Sequence, residues 1–525
     1  MRTKKLFTGG LALSSLGVAI VGTGMGCGDG GTTSTVEPEP EPLCTTVTIV
    51  GRYGLLASGT SGDSPYVAGG VLTIKDGSFE VDARQSLDGE LADVSPSTGT
   101  VTVTGDCKGA LSTAEGEPAY AFTIVGEGDE LRFIDTTEGN VITGSAKKMA
   151  EGCTTDNIAG EYGYAINAIV YLDVPGFPEG PSPFAGSGLV TVDDAGGLAL
   201  GDVASIRGLV LNRSYDGDVT VDDGCVGSAV VTLPDTAPTS NNPVNVDVFW
   251  VDNREEAFII QKDTGTFIAG PARRREVSTC KDSDILGRYG FIANGTTGAV
   301  PAEGGGGGTP YVAGGVMEFA EGGALTITGT QSVDGEVGPV AIGTGSYTLD
   351  GCVLTVNDED DELLYSMSIV ADGSEIRFIR GDAGQVITGY AKRVADNCTQ
   401  ESVAGSYGYA INAIVYLDVD GFPKGASPFA GAGVVDLSTG GKLDLVDTAS
   451  IGGKIFPRSY SGAATLADDC TGTASVTLPE TAPTSNNPVN VELVWVDEGR
   501  EALIMQRDAG TFIAGAAQRR TVLDK

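Results

Sequence analysis

The spacing of the cysteines constrains this chain more than any other feature. Setting Cys27 aside, eight remain, and in chain order they fall into pairs: Cys44 with Cys107, Cys153 with Cys225, Cys280 with Cys352 and Cys398 with Cys470. The last three pairs share one spacing. A short motif follows the first cysteine of every pair at a constant distance: GRYG from Gly51, GEYG from Gly160, GRYG from Gly287 and GSYG from Gly405. Each second cysteine sits in a turn-like context: TGDCKG, DDGCVG, LDGCVL and ADDCTG. The units close alike, on RFIDTTEGNVITGSAKK, FIIQKDTGTFIAGPARR, RFIRGDAGQVITGYAKR and LIMQRDAGTFIAGAAQR. The chain therefore reads as four repeats of roughly 110–125 residues, each long enough to bury its own core.

The repeats are of two kinds. The first and third share PYVAGGV, at Pro65 and Pro310, and SLDGE or SVDGE, at Ser86 and Ser332. The second and fourth share YGYAINAIVYLDV, from Tyr162 and Tyr407, and TAPTSNNPVNV, from Thr236 and Thr481. The expected order is A-B-A-B, with β-domains at residues 44–152 (A1), 153–279 (B1), 280–397 (A2) and 398–525 (B2). Repeat symmetry favours one disulfide within each unit. Bridges between neighbouring units and reduced core thiols are the alternatives. Closing a loop of about 70 residues is worth about 4 kcal/mol in the chain-entropy model.

Within a repeat the pattern is that of short strands. Unit A1 divides into eight β-like runs, from GRYGLLASG to NVITGSAKK, most of them separated by Gly or Asp at turn positions. LTIKDGSFEV reads as a hairpin around Asp76-Gly77, a pair suited to a type I′ turn. TVTVTG and YAFTIV alternate apolar with polar residues, as half-buried antiparallel strands do. The expected fold is all-β: four tandem antiparallel meanders closing into barrels, with a β-sandwich as the alternative. Closure removes exposed strand edges, which favours the barrel. The Gly-x-aromatic motif on the first strand and a basic residue on the last resemble the calycin barrels, the lipocalin and avidin group. In that group a basic side chain packs over the aromatic ring. The resemblance puts Tyr53, Tyr162, Tyr289 and Tyr407 in the aromatic place, and Lys147, Arg273, Lys392 and Arg519 in the basic one. An allene-oxide-cyclase-like barrel and an immunoglobulin-like sandwich stay open.

The first residues read as an address. MRTKK is a basic start, LFTGGLALSSLGVAIVG is apolar, and small residues lead to Gly26-Cys27. That is the build of a secretory signal over residues 1–26, and the cysteine after small residues resembles the lipobox of bacterial lipoproteins. The resemblance implies lipidation of Cys27, anchoring in a lipid bilayer and a place in the cell envelope. Residue 28 is glycine, not the aspartate that retains such proteins at the inner membrane, so the expected place is the outer membrane. Residues 27–43, rich in Gly, Thr, Pro and Glu, read as a solvated acidic tether.

Charge and composition narrow the function. The chain carries 70 acidic and 32 basic residues, a formal net charge of −38, which disfavours nucleic acid as a partner. It has no histidine, so Ser-His-Asp and Cys-His catalysis and His-ligated metals are excluded. No P-loop, GxSxG or dinucleotide fingerprint occurs, and no cofactor is expected. NDEDDELL at Asn357 reads as a solvated turn, and DGDVTVDDG at Asp216 as hairpin turns. The informative contrast lies in the B units, where the first strand runs on into an aromatic loop and the only two tryptophans occur, in FWVD and VWVD. Tyr171, Phe177, Phe184 and Trp250, with Tyr416, Phe422, Phe429 and Trp495, are the candidate ligand-binding residues, with Asn167 and Asn412 as polar groups. The competing reading makes the repeated segment the glue between an A unit and its B partner. The expected function is non-enzymatic: binding of a small apolar ligand or of an envelope protein. A carboxylate-dependent envelope enzyme and a structural spacer are the alternatives.

Overall fold

The computed structural model describes residues 44–520, apart from 96, 173–176, 178–179, 235–240, 277–278, 300–307, 341–342, 359–360, 423, 480–482 and 484–485. The expected signal segment, Cys27 and the expected tether lie outside the described residues.

Each repeat is an antiparallel meander that closes into an eight-stranded barrel. In A1 the strands run from Gly51–Ser61 to Asn140–Lys148, each pairs with the next, and the last returns to the first with Tyr53 opposite Lys148. A short extra strand, Glu90–Asp93, hangs on the edge of Ser78–Leu87. B1 runs from Gly160–Leu172 to Ala269–Arg275, A2 from Gly287–Thr297 to Gln385–Arg393, and B2 from Gly405–Leu417 to Ala514–Arg519. The units are barrels, not sandwiches, and closure leaves them few free edges. Asp76 and Gly77 both have positive φ, 51° and 74°, as a type I′ hairpin requires. The expected turns at Asp216 are displaced. Asp216 and Asp218 lie within the strand Leu209–Val221, and the turn falls at residues 222–225. Their charged side chains take the outward positions of the pleat, which a charge-rich string does not distinguish from a turn.

Four disulfides join Cys44 to Cys107, Cys153 to Cys225, Cys280 to Cys352 and Cys398 to Cys470. Each ties the segment entering the first strand to the turn between the fourth and fifth barrel strands. The tyrosine of each GxYG motif is buried beside it, its hydroxyl donating to a backbone carbonyl: Tyr53 to Gly128, Tyr162 to Ile158, Tyr289 to Gly373 and Tyr407 to Val403. A guanidinium covers the ring in three barrels: Arg274 over Tyr162, Arg393 over Tyr289 at 4.9 Å from the centroid, and Arg519 over Tyr407. The expected residues were Lys147, Arg273, Lys392 and Arg519. Only Arg519 holds this place. In B1 and A2 the next residue along the strand takes it, and a one-residue shift on a pleated strand moves a side chain to the opposite face. Lys147, Arg273 and Lys392 point out of their barrels.

The second glycine of GxYG explains how the barrels pack. A Cβ at Gly54 of A1 would lie 2.6 Å from Val251 of B1. At Gly163 of B1 it would lie 2.4 Å from Val370 of A2. At Gly290 of A2 it would meet Val494 of B2 at 2.7 Å, and at Gly408 of B2, Val125 of A1 at 2.5 Å. Each barrel thus receives a valine of the next in the notch of a glycine, and the fourth receives one from the first. Four glycine–glycine backbone hydrogen bonds mark the same joints: Gly265 to Gly89, Gly384 to Gly208, Gly510 to Gly335 and Gly139 to Gly453, at 2.7–3.0 Å. The four barrels form a closed ring, A1-B1-A2-B2, around a central chamber.

Candidate functional site

The A and B barrels differ inside. In A1, Phe79, Phe122, Phe133 and Tyr53 fill the interior, with Tyr120 edge-on to Phe133 at 5.8 Å. In A2, Tyr289, Phe319 and Tyr347 form a chain of edge-on rings, and Tyr365 and Phe378 a further pair. In the B barrels aliphatic side chains take these places. The position opposite the last strand's glycine is Phe133 in A1 and Phe378 in A2, but Ile259 in B1 and Ile504 in B2. Aliphatic side chains on a barrel wall reach less far toward the axis than phenyl rings, and an apolar space stays open.

That space is a cavity of about 210 Å³ in B1 and about 200 Å³ in B2. Alternate residues of the repeated segment line it: Tyr162, Tyr164, Ile166, Val170 and Leu172 in B1, and Tyr407, Tyr409, Ile411, Val415 and Leu417 in B2. Trp250 and Trp495 bound it at the disulfide end, each seated over a glycine; a Cβ on Gly227 would come within 2.6 Å of the Trp250 ring. Val192, Leu198, Leu200, Ala229, Val231 and Val246 continue the wall of B1. At the other end stand neutral polar groups, Asn241, Gln261 and Thr266, with Asn486, Gln506 and Thr511 in B2.

One charged cluster interrupts this lining. Asp202 of B1 accepts hydrogen bonds from Tyr164 at 2.7 Å, Tyr215 at 3.0 Å and Arg213, whose Nε and Nη2 lie at 2.9 and 2.5 Å. In B2, Asp447 accepts from Tyr409, Tyr460 and Arg458 at 2.5–2.8 Å. The guanidiniums also lie against Phe184 and Phe429, 5.6 and 5.7 Å from the ring centroids. Burial pushes the hydroxyls of Tyr164 and Tyr215 well up, and the adjacent Asp202 carboxylate pushes the same way, so both stay protonated donors. Burial works against the charge of Arg213, but Asp202 outweighs it and keeps it a cation. The cluster is internally neutralised. It gives the cavity a hydrogen-bonding wall without a net charge.

The expected ligand-binding residues divide. Tyr171, Phe184 and Trp250 line the B1 cavity, and Tyr416, Phe429 and Trp495 that of B2. Phe177 and Phe422 do not. Phe177 packs on the cluster around Phe184 at the barrel end, and Phe422 stacks on Phe456 at 6.0 Å beneath Lys454. Asn167 and Asn412 also point away. Asn167 donates to Asn294 of A2, and Asn412 to Ser58 of A1. Both are outward positions of a strand whose alternate residues face the cavity. The repeated segment therefore both lines the cavity and joins barrels: Asn167 and Asn412 bond to the A barrel of the other half, and the hydroxyls of Tyr171 and Tyr416 donate to Asp88 and Asp334 in the A barrel of their own half. Asp202, Arg213 and Tyr215 were not expected from the sequence. The signal was present: RSY recurs at Arg213 and Arg458, each a short distance after an aspartate in a strand-like run.

No known family and no curated protein matches the sequence. Among solved structures, transferrin-binding protein B of Haemophilus parasuis aligns over 93% of this chain and 98% of its own, with 10% identity and a TM-score of 0.19. The isotype 1 transferrin-binding protein B of serogroup B Neisseria meningitidis aligns over 77% and 84%, with 10% identity and a TM-score of 0.19. Wzi, a carbohydrate-binding outer-membrane β-barrel of Escherichia coli, aligns over 89% and 82%, with 7% identity and a TM-score of 0.11. The four-barrel architecture rests on the chain's own strand pairing, to which similarities at this level add nothing.

Proposed function

We propose that this chain is a non-enzymatic ligand-binding protein of the cell envelope. In this reading Cys27 carries the lipid anchor, the filled A barrels are scaffold, and each B barrel takes one small, neutral, largely apolar ligand. The observation that carries it is the pair of equivalent apolar cavities, each with a neutralised Asp–Arg–Tyr wall. A charged ligand would add an uncompensated charge to a desolvated space, which costs several kcal/mol. A void of about 150 Å³ lined by aliphatic side chains stays dry and takes benzene, so about 200 Å³ suits one or two rings. Against catalysis by paired carboxylates, Asp202 is the single carboxylate lining the B1 cavity among the described residues, and three side chains already hold it.

The only tryptophans, Trp250 and Trp495, each line one cavity, so their emission reports both sites. Titration of residues 28–525 with 1-naphthol should give saturable energy transfer from tryptophan at two molecules per chain. Absence of saturable transfer at the solubility limit of the probe would refute the reading. For the anchor, Cys27→Ser should release the protein from membranes, and unchanged membrane attachment would refute that part.

A further inference from the structure

The closed ring encloses a chamber of about 950 Å³ lined by all four barrels. Four pairs of its lining residues come from equivalent positions. The second GxYG glycine of each barrel pairs with a last-strand residue: Lys147 in A1, Arg273 in B1, Lys392 in A2 and Gln518 in B2. Opposite each of these stands a glutamate, Glu130, Glu256, Glu375 or Glu501, and all four are buried. The A barrels add Arg132 and Arg377. Lys147 of A1 reaches Glu256 of B1, and Lys392 of A2 reaches Glu501 of B2, both at 2.6 Å. These pairs tie A to B within each half.

The two junctions between the halves are not equivalent. Where A1 meets B2, Arg132 donates to the Gln518 side chain at 2.9 Å and to the Ala516 carbonyl at 3.2 Å. Where A2 meets B1, the counterpart of Gln518 is Arg273, so a cation occupies the strand position that holds an acceptor at the other junction. Arg377 is only 9% exposed and keeps its ion pair with Glu375; its Nε has no hydrogen-bond partner, as is also true of Arg132, but Arg132 has the Gln518 side chain at its Nη2. Arg273 turns aside to Asp252 at 2.7 Å and Glu256 at 3.5 Å, and its buried Nε also has no hydrogen-bond partner. On these strands five cations stand against four buried glutamates, with Arg273 also met by the half-exposed Asp252, and the chamber's further charged lining is Arg393 and Arg500 with Asp396, Asp497 and Glu498. A buried N–H without an acceptor is costly, and a carboxylate or phosphate oxygen satisfies the free N–H groups of a guanidinium well.

We infer that the chamber binds one small oxyanion at the junction of A2 and B1, between Arg273 and Arg377, where the other junction has the Gln518 side chain as its acceptor. The molecule carries its own control. Arg273→Gln reproduces the Arg–Gln pair already present at the A1–B2 junction, and Gln518→Arg reproduces the proposed site. Binding of inorganic phosphate and of acetate would be measured calorimetrically at constant ionic strength, with chloride as the reference anion. Wild type should bind one equivalent of at least one oxyanion, R273Q should bind it at least tenfold more weakly, and Q518R should bind a second equivalent. Absence of oxyanion binding by wild type, or undiminished binding by R273Q, would overturn the proposal. Naphthol titration of the same variants verifies their fold and is independent, because the B cavities lie inside the barrels.

Discussion

Filling the B cavities distinguishes hollow barrels from packed ones by the sign of the effect. Ala229 and Ala474 are buried and line equivalent walls. Leucine in their place adds three carbons. At about 0.8 kcal/mol per buried CH₂ the gain is about 2.4 kcal/mol. Ordering the leucine side chain takes back about 0.5–1 kcal/mol, leaving about 1.5 kcal/mol per barrel. In a packed interior the same change forces neighbours off their rotamers and costs about 1–3 kcal/mol. The assay is urea unfolding of Ala229→Leu/Ala474→Leu followed by tryptophan emission, which arises only from the two B barrels. Hollow barrels should give a higher midpoint, an unchanged slope and weakened naphthol transfer. Destabilisation by about 1 kcal/mol or more, the overpacking range, would show that no such space exists and would refute the ligand-binding reading with it.

Other perturbations test the charged groups and the joints. Asp202→Asn leaves Arg213 buried without its carboxylate and should cost about 3–5 kcal/mol, whereas replacing the whole cluster (Asp202→Leu, Arg213→Met, Tyr164→Phe and Tyr215→Phe), which leaves no hydroxyl without its acceptor, should come near neutral; urea unfolding measures both. For Glu256, burial raises the pKa, but Lys147 and Arg273 outweigh it and hold the carboxyl at about 2 against an ordinary 4.5. A depressed carboxylate contributes stability that is present above pH 4.5 and lost as pH falls toward 2. Acid unfolding should therefore show a loss across that window that Glu256→Gln flattens. Gly163→Val places a branched side chain where Val370 already stands within 2.4 Å of the Cβ position; it should open the B1–A2 joint, seen as a larger radius of gyration in small-angle scattering.

Much of the architecture was legible in the sequence because repetition amplifies weak signals. A single GRYG says little, but four such motifs at fixed distances from paired cysteines define four units, and Asp-Gly at Asp76 places a hairpin. The pleat was harder to read. Lys147-Lys148, Arg273-Arg274-Arg275 and Lys392-Arg393 offer adjacent cations, and composition cannot say which faces the ring and which the chamber. The repeated segment posed the same difficulty, since Tyr164 and Asn167 differ in face rather than in context. The exchange of Phe133 and Phe378 for Ile259 and Ile504 makes the B barrels hollow, yet both kinds of residue read as core. The central chamber was illegible, because its walls come from four distant last strands and only ring closure brings Arg132 beside Gln518.

Native mass spectrometry of residues 28–525 with added 1-naphthol tests the central claim most directly, because it counts ligands on an intact chain. Two hollow B barrels predict a chain eight hydrogens lighter than its reduced form, for its four disulfides, that takes up two naphthol molecules and loses both in Ala229→Leu/Ala474→Leu. A chain that binds none, or whose binding survives the filling substitutions, would contradict that claim.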